Sequence, residues 1–175
     1  LMVHDGSLYA DYLPAWLNDD HALVRATAAT LVRVLPIDQR IRQTGPLLDD
    51  KVRTVRIAAA KALLDVKASQ LPAAMRQSLG KAMQEFQQSL TVKADFPETQ
   101  MVTGGVALTL RNFPAAVSAF RRAVEMDPQL TQAWMMLARI QAALGDRNGV
   151  RKTLSEAIKS NPDNSELQQA LRELD

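Results

Sequence analysis

The chain has no cysteine. That excludes disulfides, thiolate catalysis, zinc–thiolate sites and haem attachment within it, and leaves the compartment open. Aromatic residues are only 5% of the total. Ala, Leu and Val therefore supply most of the apolar content, a balance that favours helices packed closely through small side chains. The only histidines are His4 and His21, and without a spaced carboxylate cluster they do not suggest a metal site. No apolar run approaches the ~18–20 residues of a membrane span, and no signal-peptide pattern is present. An excess of one charge is also missing. The formal net charge is +2. Lys and Arg slightly outnumber Asp and Glu up to Asp95 and equal them after it, so the sequence pI of 9.1 alone does not point to nucleic acid. The chain starts with Leu1 rather than Met, and we expect a fragment or a processed form.

What is present is a long period. At 175 residues, 47% of them hydrophobic, the chain can build roughly six to ten stacked helices. Pro128 and Pro162 are 34 residues apart, as are Ala123 and Ala157, Phe120 and Leu154, and Gln100 and Trp134. This spacing marks a helix–turn–helix unit that buries its apolar face only by stacking on a neighbour. The first unit has helix A over about 97–110, a turn at Asn112–Pro114, and helix B to Met126, ended by Asp127-Pro128. Pro114 suits the first turn of helix B. The second unit repeats the plan from Thr131, with Gly145-Asp146 breaking helix A and Asn161-Pro162 closing helix B. Leu167, Ala170, Leu171 and Leu174 then share one face of a capping helix, with Ser165 as its expected N-cap.

These residues resemble the tetratricopeptide repeat. Ala116, Phe120, Ala123 and Pro128 match its second-helix pattern in one unit, and Val150, Leu154, Ala157 and Pro162 in the next. Trp134, Leu137, Ala138 and Gln141 match its first helix. The first unit departs there, with Gln100, Thr103, Gly104 and Ala107 at those positions. Gly104 falls where the two helices of a repeat touch, and Gly104-Gly105 is no phosphate loop, because no Gly-Lys-Ser/Thr follows.

The first half carries a shorter period. Val24-Arg25 and Val55-Arg56 are 31 apart, and so are Leu17 and Leu48, Asp19 and Asp50, Ala28 and Ala59, Ala29 and Ala60, Val32 and Leu63, and Leu35 and Val66. An apolar helix end, an acidic turn, Val-Arg and an Ala-rich helix recur. Residues 8–66 resemble HEAT-like repeats. The resemblance implies that Asp19, Asp50, Arg25 and Arg56 form a ladder linking adjacent units. Pro14 and Pro46 fall late in the two A helices and predict kinks. From Pro72, an amphipathic run through Met75, Leu79, Met83, Phe86 and Leu90 predicts a long rigid connecting helix. The expected domains are thus 1–70, 71–95 and 96–175. The domain order resembles the C-terminal half of bacterial multihaem c-type cytochrome-like proteins. That resemblance implies a periplasmic redox context with any haem in sequence upstream; otherwise a cytoplasmic location is expected. No cofactor is expected in this chain itself.

Asp19-Asp20 and Asp49-Asp50 could be read as hydrolytic acid pairs, but they recur at the period before a helix, where capping and the helix dipole explain them. Arg40, Arg42, Lys51, Arg53, Arg56 and Lys61 form a basic stretch with interleaved acids and no aromatic to stack a base. A solvated face with local ion pairs is the favoured reading, and an anion- or nucleic-acid-binding module the alternative. The tetratricopeptide resemblance implies a protein- or peptide-binding groove lined by Glu98, Met101, Gly105, Leu108, Thr109, Gln132, Met135, Arg139, Ala142 and Ala143. Two Met and a Leu would make it adaptable and apolar, with Arg139 as its fixed positive charge. The expected fold is all-α: a right-handed αα superhelix of two HEAT-like units, a connecting helix, two tetratricopeptide units and a cap. The expected function is non-enzymatic protein–protein interaction or scaffolding, with an upstream-haem electron-transfer protein as a further alternative.

Overall fold

A computed structural model describes residues 7–174 of the chain, and His4 lies outside them. Every regular element among the described residues is helical. The chain divides into two compact units, Leu1–Ser89 and Leu90–Asp175.

The first unit contains α1 (Ser7–Ala10), α2 (Leu13–Leu17), α3 (Ala22–Leu31), α4 (Ile37–Thr44), α5 (Arg53–Ala62) and most of α6 (Ala73–Val92). Val24-Arg25 and Val55-Arg56 occupy the third and fourth positions of α3 and α5, as the 31-residue period requires. The pairs Leu17/Leu48, Ala28/Ala59, Ala29/Ala60, Val32/Leu63 and Leu35/Val66 are buried in one core, while of the remaining pair Val55 is buried and Val24 half-buried. The two prolines act differently from the expectation. Pro14 sits in the first turn of α2, after a turn at Asp11-Tyr12, and Pro46 opens a 3₁₀ segment, Gly45–Asp49, after α4. Each interrupts its A segment instead of kinking a continuous helix, because its missing N–H is harmless only where a new helical turn begins.

Charged side chains join successive elements of this unit. The Arg25 guanidinium grips the Asp50 carboxylate with two hydrogen bonds, 2.8 and 3.0 Å, and also donates to the Asp19 and Asp20 carbonyls. Asp50 accepts the Val52 N–H as well, at 2.8 Å. One period on, Arg56 donates to the Asp50 carbonyl and forks onto Glu85 of α6, at 2.6 and 3.0 Å. The expected ladder therefore has its next acid on α6, where Ala82 and Phe86 are also buried. Lys61 lies 5.5 Å from the Phe86 ring centre, Arg53 donates to the Glu85 carbonyl, and Arg40 pairs with Asp65 at 2.9 Å. Four of the six cations of the basic stretch are engaged within the unit.

The second unit contains α7 (Pro97–Thr109), α8 (Phe113–Met126), α9 (Thr131–Ala143), α10 (Arg147–Ser160) and α11 (Ser165–Arg172). The helices pack sequentially, α7 on α8, α8 on α9, α9 on α10 and α10 on α11. The core is Phe120, Trp134, Leu137, Leu154 and Leu167 with interleaved alanines. Turn chemistry follows the period. Asn112 and Asp146 cap α8 and α10 by accepting the N–H three residues on, at 3.2 and 2.8 Å. The cap of α11 is Asn164, not Ser165: its side chain accepts the Leu167 N–H at 3.0 Å.

The residue before each of the first two caps is left-handed, Arg111 with φ of 56° and Gly145 with φ of 77°. A Cβ is strained there, and Gly is not. Arg111→Gly is therefore expected to raise the stability of the second unit by at most about 1 kcal/mol, part of the gain being offset by the freer unfolded chain. Denaturant titration checks this; a loss of stability would show that the Arg111 side chain contributes more than its backbone costs.

A side-chain-to-carbonyl hydrogen bond also recurs at 34 residues. Gln100 donates through Nε2 to the Ala94 carbonyl at 2.8 Å, Trp134 through Nε1 to Pro128 at 2.9 Å, and Gln168 through Nε2 to Pro162 at 2.7 Å. Gln100 stands where Trp134 stands because both supply an N–H that closes the preceding turn. The same bond made by Gln168 places α11 in the A-helix position of a further period.

Candidate functional site

Helices α7, α9 and α11 are the A-position elements of the second unit, and their equivalent faces converge on one cleft of about 290 Å³. Met101 comes from α7. Thr131, Gln132, Met135, Met136 and Arg139 come from α9, and Glu166 from α11. The helical spacing makes this wall: residues 132, 135, 136 and 139 follow i, i+3, i+4, i+7 along one stripe of α9. The buried stripe of the same helix, Ala133, Trp134, Leu137, Ala138 and Ile140, faces the core.

Of the predicted groove residues, the structure brings Met101, Gln132, Met135 and Arg139 together. Glu98 is exposed near the start of α7 and lies outside the cleft; Leu108 and Thr109 are half-buried near the end of α7, also outside it. The Thr109 hydroxyl donates to the Gly105 carbonyl. Gly105, Ala142 and Ala143 are exposed and line no part of the cleft.

Three lining residues were not predicted: Thr131, Met136 and Glu166. Glu166 had a signal in the sequence, since Glu98, Gln132 and Glu166 are successive members of the 34-residue series. Reading α11 only as a capping helix left it out of the expected groove.

The cleft is chemically two-sided. Met101, Met135 and Met136 are half-buried against the core and give it adaptable apolar walls. Arg139 and Glu166 are exposed. Neither makes a hydrogen bond or ion pair to another side chain among the described residues. They are free to meet a ligand of opposite charge. No group of three or more His, Asp or Glu side chains is arranged to hold a metal ion among the described residues. Three of the four acids in the pairs of the first half are engaged structurally through their carboxylates: Asp50 holds Arg25, Asp49 accepts from Ser78, and Asp19 accepts the His21 N–H at 2.7 Å.

The fold defines an all-helical repeat protein, and its second unit has helices, turns and side-chain-to-carbonyl hydrogen bonds that recur every 34 residues. Residues 107–174 match the family model of the tetratricopeptide repeat. The matched stretch runs from late α7 through α11 and includes every wall of the cleft except Met101. No curated protein matches the chain. Tetratricopeptide repeats are typically non-catalytic modules of protein–protein interaction. No helix among the described residues is long and apolar enough to cross a membrane.

Proposed function

We propose that the protein is a non-enzymatic docking module and that the cleft between α7, α9 and α11 binds a peptide segment of a partner protein. The observation that carries this reading is the pairing of half-buried methionines with two uncommitted charges of opposite sign on A-helix faces. The volume suits one or two side chains rather than a large cofactor. The chemistry selects an apolar anchor between the methionines, an acidic group toward Arg139, and a basic group or backbone N–H toward Glu166.

The test is Met135→Glu with Arg139→Glu. Binding of a partner captured from native extract, measured by calorimetry, is expected to be lost. The melting temperature should shift little, since Arg139 is exposed and Met135 keeps one side toward solvent. Unchanged binding would move the site off the cleft. A large fall in melting temperature would make these side chains internal packing.

A further inference from the structure

The asparagines of the chain are Asn18, Asn112, Asn148, Asn161 and Asn164. Four of them hold structure. Asn18 donates to the Pro14 carbonyl and Asn161 to the Pro128 carbonyl, at 2.8 and 2.9 Å. Asn112 and Asn164 cap α8 and α11 through their side-chain oxygens. Asn148 is exposed, and its side chain makes no hydrogen bond among the described residues. It is also the one asparagine followed by glycine.

That pair carries a chemistry of its own. The backbone nitrogen of the following residue can attack an asparagine Cγ, and a glycine there has no side chain to obstruct the approach. A bond from the Gly149 nitrogen to Asn148 Cγ closes a succinimide ring. The Cγ–Nδ2 bond breaks, and Nδ2 leaves as ammonia with the proton that the Gly149 nitrogen gives up. Water then opens the ring at either carbonyl, giving aspartate or isoaspartate. No reactant other than water is needed.

The fold guards the attacking nitrogen. Asn148 and Gly149 are the second and third residues of α10. The Gly149 N–H donates to Asp146 Oδ1 at 2.8 Å, the cap bond of that helix. This bond must be released before the nitrogen can lose its proton. The same carboxylate explains the glycine, because a Cβ at position 149 would collide with it. The cap therefore requires the very residue that makes Asn148 reactive. One period earlier the equivalents of Asn148 and Gly149 are Pro114 and Ala115, and the cap bond from Ala115 to Asn112 is longer, 3.2 Å. The first repeat builds the same turn without such a site.

We propose that Asn148 is a site of spontaneous covalent modification, converted through a succinimide to aspartate and isoaspartate, and that the Asp146 cap gates it. A closed first turn of α10 protects the site, and each local opening of that turn exposes it. The two products act oppositely on the helix. Aspartate places a negative charge near the α10 N-terminus, where the helix dipole favours it. Isoaspartate adds a methylene to the backbone and prevents the turn from closing again. This inference is independent of the docking cleft.

The test follows every asparagine by peptide mapping and mass spectrometry while the whole chain is held in warm, mildly alkaline buffer. Chromatography separates the isoaspartate peptide from the aspartate one. Conversion is expected at Asn148 ahead of the other four, and faster in denaturant than in the folded protein. Asp146→Ala should speed it about fivefold, the factor to which ~1 kcal/mol of capping corresponds. Asp146→Asn keeps a cap acceptor and should stay near the parent rate. Asn148→Pro, which copies Pro114, should remove the reaction without lowering the melting temperature, since proline is tolerated in a first helical turn. Conversion led by another asparagine, or a rate at Asn148 that is the same folded and denatured, would overturn the proposal. So would an unchanged rate in Asp146→Ala. A slower one would make the carboxylate a base that promotes the attack and would overturn it equally.

Discussion

Replacing Phe120 by alanine is expected to destabilise the second unit by ~3–5 kcal/mol, through lost burial and the cavity left behind. Phe120 is 1% exposed and is the largest fully buried side chain among the described residues. Its ring lies so close to Gly104 that a Cβ there would come within 2.6 Å of two ring carbons. One period later the pair is Ala138 and Leu154, both buried. The two repeats thus fill equivalent space in two ways, a glycine with a phenylalanine or an alanine with a leucine. Truncating Phe120 leaves a cavity between α7 and α8 that glycine cannot fill. The pairing also predicts non-additivity. Gly104→Ala alone should destabilise by roughly 1–3 kcal/mol through overpacking, whereas Gly104→Ala with Phe120→Leu, which recreates the second repeat, should recover much of that loss. Denaturant unfolding read at the Trp134 signal measures all three variants. A change below about 1 kcal/mol for Phe120→Ala would show that the ring is not core.

Asp50→Ala is expected to lower the melting temperature of the first unit far more than alanine at the exposed Asp11. Asp50 and Arg25 side chains are each only 9% exposed, and removing the acid leaves a guanidinium without the partner that compensates its desolvation. It also frees the Val52 N–H at the start of α5. Asp50→Asn keeps an acceptor for that N–H and should fall between. The same contacts make the unit acid-sensitive. Hydrogen bonds from Arg25 hold the Asp50 carboxyl below its ordinary range, and those from Arg56 do the same for Glu85. Groups with lowered folded pKa values contribute stability that is fully present above the unfolded pKa and is lost as the pH falls through the folded one. The melting temperature read at Trp16 should therefore be flat above about pH 5 and fall below about pH 4. Asp50→Asn should flatten that decline. An acid limb of equal steepness in the variant would place the sensitivity elsewhere.

Much of the fold was legible because repetition samples the same environment twice. Val24 and Val55 hold equivalent helix positions, and Leu17 and Leu48, like Phe120 and Leu154, need similar surroundings and are buried in pairs. Where the structure differed, the deciding contact was local or crossed the presumed end of a repeat series. Pro14 and Pro46 fall at similar places in the two repeats, but periodicity is blind to whether proline kinks a helix or starts a new turn. Asn164 outcompetes Ser165 as a cap because one residue of register decides which side chain reaches the Leu167 N–H. Gln100 looked foreign to its position when compared by size and hydrophobicity; compared as an N–H donor it is equivalent to Trp134. Glu85 and Glu166 were hidden for different reasons. Glu166 sits on a helix read as a cap, so the 34-residue period was not carried onto it, whereas Glu85 lies off the 31-residue series, which passes from Asp50 to Lys81. The helical stripe on α9 placed Gln132, Met135 and Arg139 correctly on one face. It could not say that Leu108 and Thr109, near the other end of α7, would fall outside the cleft.

The proposal that the cleft of the second unit is the docking site is tested most directly by the methionine methyl groups. The chain has seven methionines. Selective ¹³C labelling of their methyls gives one reporter for each, and the reporters divide by place. Met101, Met135 and Met136 line the cleft; Met75 and Met83 pack against the core of the first unit; Met126 is exposed at the end of α8. On titration with a peptide from the captured partner, the signals of Met101, Met135 and Met136 should shift together and saturate at one affinity, while those of Met75, Met83 and Met126 stay in place. Saturable shifts confined to Met75 and Met83, or binding that leaves all three cleft methyls unmoved, would contradict the assignment.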